Sequence, residues 1–326
     1  MTKFAYFCGH EQWQPEELVE HAKLAEAAGF DMVVVSEHFH PWVDDASASG
    51  FAFSTIGAMA QATSDLEFAT GVTTPLFRYH PAVVAQAAAT LDRLSGGRFT
   101  LGVGTGENIN EGPLGYEFPD YAGRNSRMRE SLQIMRRLLD GEKLTFDGDH
   151  YTTDRAKLYS PPKGPVPILL AAGGPKSAAL AGEMAQGVVT SVKEPAETME
   201  RVVTPLRAAA DSAGRPSPII LATRWSLHAS NEDEAWDALY SWRGLRAPGR
   251  LEAVDPADLR QRADELPREE VVGRYSLAAT PDQIIEIYRP LVAELGADIV
   301  TFQMASLDQV GLIALLGREV LPALRA

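Results

Sequence analysis

Short apolar runs alternate with amphipathic segments from one end of this chain to the other, and that alternation constrains the fold more tightly than any motif. The runs are FAYFC (4–8), MVVV (32–35), FATGV (68–72), FTLGV (99–103), VPILLAA (166–172), GVVTS (187–191), PIILATRW (218–225) and ADIVTF (297–302). Helical periodicity trails nearly all of them, over 16–28, 53–62, 81–94, 123–139, 176–185 and 196–213. Near-continuous apolar strands followed by helices specify a parallel sheet with both faces covered. Eight such units with no second composition regime predict an α/β fold, a closed (β/α)8 TIM barrel. The 326 residues are then one barrel domain, 1–326. Segments 36–52, 140–165 and 240–275 exceed ordinary loop length and are expected as insertions.

Charge narrows the partners. Lys and Arg number 30 against 44 Asp and Glu, a formal charge of −14 with histidine neutral. Such a chain repels phosphate backbones and anionic lipid, so neither nucleic acid nor membrane is an expected partner. An anionic substrate must be held by a local basic cluster. The single cysteine, Cys8, rules out disulfide frameworks and Cys-based zinc sites and fits a reducing, cytoplasmic setting. No signal-peptide core or membrane-length apolar stretch stands out.

In a barrel the reacting groups gather where strands end. The first strand exits into Gly9-His10-Glu11 and the second into Ser36-Glu37-His38-Phe39-His40-Pro41-Trp42. The fourth exits into the turn GVGTGE, which closes on Glu107, and the fifth into AAGGPKS (171–177). Glycines beside ionisable groups at so many exits suggest a cofactor lying close to backbone. His38 and His40 lack the carboxylate or thiol partners of a metal site, and no metal is expected. His38 is either a satisfied loop histidine or a general base beside the apolar wall of Trp42. Glu107 and Glu11 are each a solvated residue at a helix start or a buried acid. The AAGGPKS turn offers backbone N–H groups to an anion or is simply a tight turn. FDGDHY (146–151) reads as a hairpin turn at Asp147-Gly148.

Read together, HEQWQP (10–15), SEHFHPW (36–42) and GVGTGENINE (102–111) resemble the luciferase-like hydride-transfer superfamily, and within it the coenzyme F420-dependent glucose-6-phosphate dehydrogenase family. The similarity extends through TTPLFRYHPAVVAQA (73–87), FDGDHY and VPILLAAGGP (166–175). The resemblance implies that His38 is the base on the substrate hydroxyl, with the indole N–H of Trp42 supporting it. It implies that Glu107 protonates the cofactor ring nitrogen and that Glu11 is a second carboxylate nearby. Coenzyme F420 is expected to be held by Glu37, Val72, Thr74, Thr105, Gly106, Asn110, Ala172, Gly173 and Gly174. A cis peptide is expected at Gly71–Val72. Thr190, Lys193, Arg250 and Arg274 match the substrate-phosphate clamp, Arg250 standing where the family has lysine. Glu37 replaces an aspartate and Gly71 a serine. The implied reaction oxidises a sugar 6-phosphate, in a protein that is commonly a homodimer. The alternatives are an F420-dependent secondary alcohol dehydrogenase, an FMN-using monooxygenase or reductase, and a non-catalytic carrier.

Overall fold

The computed structural model describes all of residues 1–326. Eight parallel strands form the barrel: β1 (Lys3–Cys8), β2 (Met32–Val35), β3 (Glu67–Thr70), β4 (Phe99–Val103), β5 (Ile168–Ala171), β6 (Gly187–Ser191), β7 (Ile219–His228) and β8 (Ile299–Ala305). Each pairs with its neighbours in chain order, β8 pairs with β1, and the β6–β7 pairing completes the ring. The eight-strand reading of the sequence is therefore correct. All four residues of MVVV are buried, because one face of the strand fills the barrel and the other packs on helices.

The helices begin where capping chemistry allows. Pro15 opens Pro15–Ala27 behind a capping box made by Gln14 and Glu17. The ring of His80 accepts from the N–H of Ala82 at the start of Pro81–Ser95, and Gly96, with φ of 73°, ends that helix in the left-handed conformation. Their inner faces and the outward faces of the strands form one continuous apolar core, which includes Tyr6, Phe68, Phe302, Met59 and Leu132. Each large aliphatic side chain buried there contributes about 1.5–3 kcal/mol.

The insertions differ in construction. Residues 36–52 form an irregular loop, tied down by Ser49 Oγ donating to the carbonyl of His38 at 2.8 Å and by the Arg260–Asp44 pair at 2.6 Å. Residues 140–165 contain the expected hairpin, Leu144–Asp147 antiparallel to Thr152–Ala156. Residues 240–275 comprise a 3-10 stretch, Tyr240–Arg246, and two short helices, Pro256–Asp264 and Arg268–Val272. This segment returns through a short strand, Ser276–Ala278, that pairs in parallel with the extended end of β7. The insertion is thereby anchored over the carboxyl end of the barrel. A second apolar cluster joins it to the barrel mouth through Phe7, Trp42, Trp242 and Leu245.

Candidate active site at the barrel mouth

The strand exits converge on one cleft of about 530 Å3. From the first two exits come Glu11, Glu37, His38 and Trp42. The third and fourth supply Val72, Thr74, Thr105, Gly106, Glu107 and Asn110, and the fifth supplies Ala172 and Gly173. Gly174 caps the helix Pro175–Met184 immediately beyond. The peptide joining Gly71 to Val72 is cis, as the resemblance implied.

His38 is oriented by its backbone surroundings. Its Nδ1 lies 3.0 Å from the carbonyl of His40, which can only accept, so Nδ1 carries the hydrogen. In the neutral imidazole Nε2 is then the nitrogen with the free lone pair. It lies 3.5 Å from Glu11 Oε1 and 3.9 Å from Glu107 Oε2. Asn110 fixes the loop by accepting from the N–H groups of Phe39 (2.8 Å) and His40 (3.3 Å) through Oδ1. The Trp42 ring meets the imidazole edge-on, with centroids 4.9 Å apart. Glu11, almost fully buried, accepts from the Ser36 hydroxyl at 2.6 Å, and Ser36 Oγ accepts from the N–H of His10 at 2.8 Å. His10 behind them is kept neutral by burial, which lowers its pKa, and its ring meets Ser36 O and Thr55 Oγ1.

Glu37 is bound into a buried triad that the sequence did not announce. Arg78 bonds both oxygens of Glu37 at 2.6 and 2.7 Å and also meets Glu111 at 2.5 Å. Burial, reinforced by the neighbouring Glu37 and opposed by Arg78, raises Glu111 to about 6. Arg78 is itself held charged: the two carboxylates outweigh the cost of its burial. Both residues lie inside motifs already noted, Arg78 in TTPLFRYHP and Glu111 at the end of GENINE, but no spacing rule pairs them.

Two of the glycines at the cleft are required by the protein's own packing, and a third faces open space. A Cβ on Gly104 would lie 2.6 Å from Val72 Cγ2, and one on Gly106, with φ of +82°, would meet Thr74 at 2.9 Å. At Gly173 nothing lies within 4 Å of that position, so the approach to the helix N-terminus is open.

The four clamp candidates are less concentrated. Lys193, Arg250 and Arg274 share a cavity of about 420 Å3 beside the cleft, while Thr190 lines a third cavity with Lys193. Arg250 reaches back to Glu107 at 2.5 Å, and Arg274 is engaged by Glu270. Arg246, Trp225, Ser36 and Gln303 also line the main cleft. Ser36 and Trp225 stand in the second strand exit and in the run PIILATRW without a site role being assigned to them, whereas Arg246 lies in an insertion with no periodicity to follow and Gln303 lies just past the run ADIVTF (297–302). No group of three or more His, Cys, Asp or Glu side chains is arranged to hold a metal ion, and no helix is long and apolar enough to cross a membrane.

A family profile described as luciferase-like monooxygenase matches residues 2–298. The chain belongs to the luciferase-like family. This luciferase-like chain is 37% identical to an F420-dependent glucose-6-phosphate dehydrogenase from Nakamurella multipartita, over 99% of its own length and 97% of the relative's. One from Mycolicibacterium smegmatis is also 37% identical, with 99% and 98% covered. Among solved structures, an F420-dependent secondary alcohol dehydrogenase in complex with an F420-acetone adduct superposes with a TM-score of 0.90 at 31% identity, covering all of both chains.

Proposed function

We propose that this protein is an F420-dependent oxidoreductase that oxidises the anomeric carbon of a sugar 6-phosphate, glucose 6-phosphate foremost, to the 6-phospholactone. The observation that carries the reading is His38, with Nδ1 committed to a carbonyl and Nε2 bare in the cleft between two carboxylates. Coenzyme F420, when bound, supplies the hydride acceptor. Val72, Thr74, Thr105, Gly106, Asn110, Ala172, Gly173 and Gly174 form its cradle, with Glu37 at the edge. His38 Nε2 removes the hydroxyl proton as hydride leaves the same carbon, and the imidazolium that forms is stabilised by Glu11 and Glu107. Glu107, paired with Arg250, is the second carboxylate facing the imidazole, and Trp42 walls the substrate carbon and keeps the imidazole in place. Thr190, Lys193, Arg250 and Arg274 form the anion-holding end, which lets an acidic protein retain a phosphorylated sugar. We also propose a single domain acting as a cytoplasmic homodimer.

The likeness to the alcohol dehydrogenase favours a second reading, in which the same His, Trp and Glu oxidise an uncharged secondary alcohol. Anaerobic loss of the visible absorbance of F420 separates the two, using glucose 6-phosphate, other hexose phosphates and isopropanol. Turnover on sugar phosphates alone, with KM rising with salt, supports the first reading. Turnover on isopropanol alone moves the protein to the second. Bound FMN with no F420 turnover removes both.

A further inference from the structure

Four cations border the space beyond the main cleft, and two of them already have counter-charges. Lys193, Arg246, Arg250 and Arg274 line one cavity of about 420 Å3. Arg250 is paired with Glu107 at 2.5 Å, and Arg274 is engaged by Glu270 and by the carbonyl of Arg246. Those two ion pairs leave Lys193 and Arg246 without a carboxylate. Arg246 is also the one residue bordering all three cavities at this end: the main cleft, the 420 Å3 cavity, and a cavity of about 240 Å3 shared with Thr190, Ser191, Lys193, Glu194 and the Arg201–Glu197 ion pair.

Its side chain is held in place without being neutralised. The guanidinium carbon lies 5.3 Å from the ring centre of Tyr275 and 5.9 Å from that of Trp225, and Nε is buried with no partner. Thr190, only 2% exposed, leaves its Oγ1 equally unpartnered in the 240 Å3 cavity. Stranded polar groups of this kind carry a desolvation cost that an arriving anion offsets. A guanidinium fixed by aromatic rings presents a planar donor fork that matches two phosphate oxygens.

We propose that Arg246, with Lys193 and the Thr190 hydroxyl, is the principal seat of the substrate phosphate, and that Arg250 stays with Glu107. The proposal rests on the sugar-phosphate reading and moves the phosphate within its anion-holding end from Arg250 and Arg274 to Arg246.

The test pairs steady-state kinetics on glucose 6-phosphate, at saturating F420, with calorimetric titration of inorganic phosphate into the resting protein. The variants are R246A, R246K and R250A. R246A is expected to raise KM and weaken phosphate binding by a similar ~10–100-fold, with kcat within about threefold of wild type. R246K keeps the charge and recovers part of both losses, and it serves as the informative variant if R246A folds poorly. R250A is expected to lower kcat more than it weakens phosphate binding. Unchanged KM and phosphate affinity in R246A would overturn the proposal, as would a larger loss of phosphate affinity in R250A than in R246A. Phosphate binding that depends on Arg246, in a wild type that turns over no sugar phosphate, upholds the anion seat and removes the sugar-phosphate reading.

Discussion

His38 Nε2 and Glu11 Oε1 lie 3.5 Å apart, and with Nδ1 committed to His40 the neutral imidazole has no hydrogen on Nε2 to bond them. Glu11 is held by Ser36, so the contact becomes a charge-assisted pair only when His38 accepts a proton. Stabilisation that exists only in the protonated state accelerates the proton-transfer step rather than tightening substrate binding. H38A is expected to reduce kcat by ~10²–10⁴-fold and to leave F420 affinity within a few-fold. E11Q is expected to reduce kcat about 10–100-fold with KM little changed. Stopped-flow reduction of F420 alongside equilibrium titration of the cofactor reads both. A fall in cofactor affinity as large as the fall in kcat would make His38 a binding residue instead.

Arg250 links the two halves of the site. It pairs with Glu107 at 2.5 Å and lies 5.9 Å from the Trp42 ring centre, so one cation touches the acid and the aromatic wall together. Both members of the pair are about one-third exposed, which holds its worth to stability to about 0.2–1 kcal/mol. Its effect on catalysis is expected to be larger and non-additive. R250A and E107Q should each reduce kcat/KM, and the double variant should fall short of their combined loss by about tenfold, because either change alone leaves the other charge unpaired. Strict additivity in this double-mutant cycle would show that the pair does not act as a unit.

The barrel and the acid–base groups were legible in the sequence because they follow local rules. Strands buried on both faces read as unbroken apolar runs, and reacting groups sit where those runs stop, which made Glu11, His38 and Glu107 candidates before any coordinates, while the resemblance supplied their roles. Two kinds of feature were not legible. Arg78 joins Glu37 and Glu111 from three different strand exits, a meeting that depends on barrel closure rather than on spacing. Arg246 sits in an insertion without periodicity, and its position comes from tertiary contacts: Tyr275 Oη donates to the carbonyl of Trp242 at 3.1 Å, and Trp242 Nε1 donates to Gln12 at 3.0 Å. The clamp residues were named from the resemblance, but the carboxylates already engaging Arg250 and Arg274 could be seen only in three dimensions.

Gly244 is where that insertion lies tightest on the active-site loop. A Cβ there would stand 1.9 Å from the carbonyl oxygen of Trp42 and 3.1 Å from Leu259 Cβ. Backbone cannot yield as a flexible side chain can, so G244A must push the Tyr240–Arg246 stretch away from Trp42. The expected cost is about 1–3 kcal/mol of stability. Displacement of Leu245 and Arg246, which line the cleft, should raise the KM for glucose 6-phosphate while F420 affinity stays near wild type. Thermal unfolding and the two titrations check this, and a G244A protein with wild-type Tm and KM would show that the contact can relax freely.

Glu111 supplies a pH signature independent of catalysis. Its carboxyl is fully buried and shares Arg78 with Glu37, and burial raises its pKa from 4.5 to about 6. The native protein therefore holds this proton more tightly than the unfolded chain does. The stability this contributes is complete below pH 4.5 and is lost as pH rises through about 6. E111Q keeps the shape of the protonated group and cannot titrate. Wild-type stability minus that of E111Q should accordingly fall by about 2 kcal/mol between pH 4.5 and 7 and then level off. Taking the difference cancels the groups common to both proteins, including His21 and His80, whose pKa values burial lowers and whose contribution runs the opposite way. Urea unfolding of the two proteins across that range is the measurement. A difference that grows with pH would mean that Arg78 outweighs burial and that Glu111 is ionised throughout.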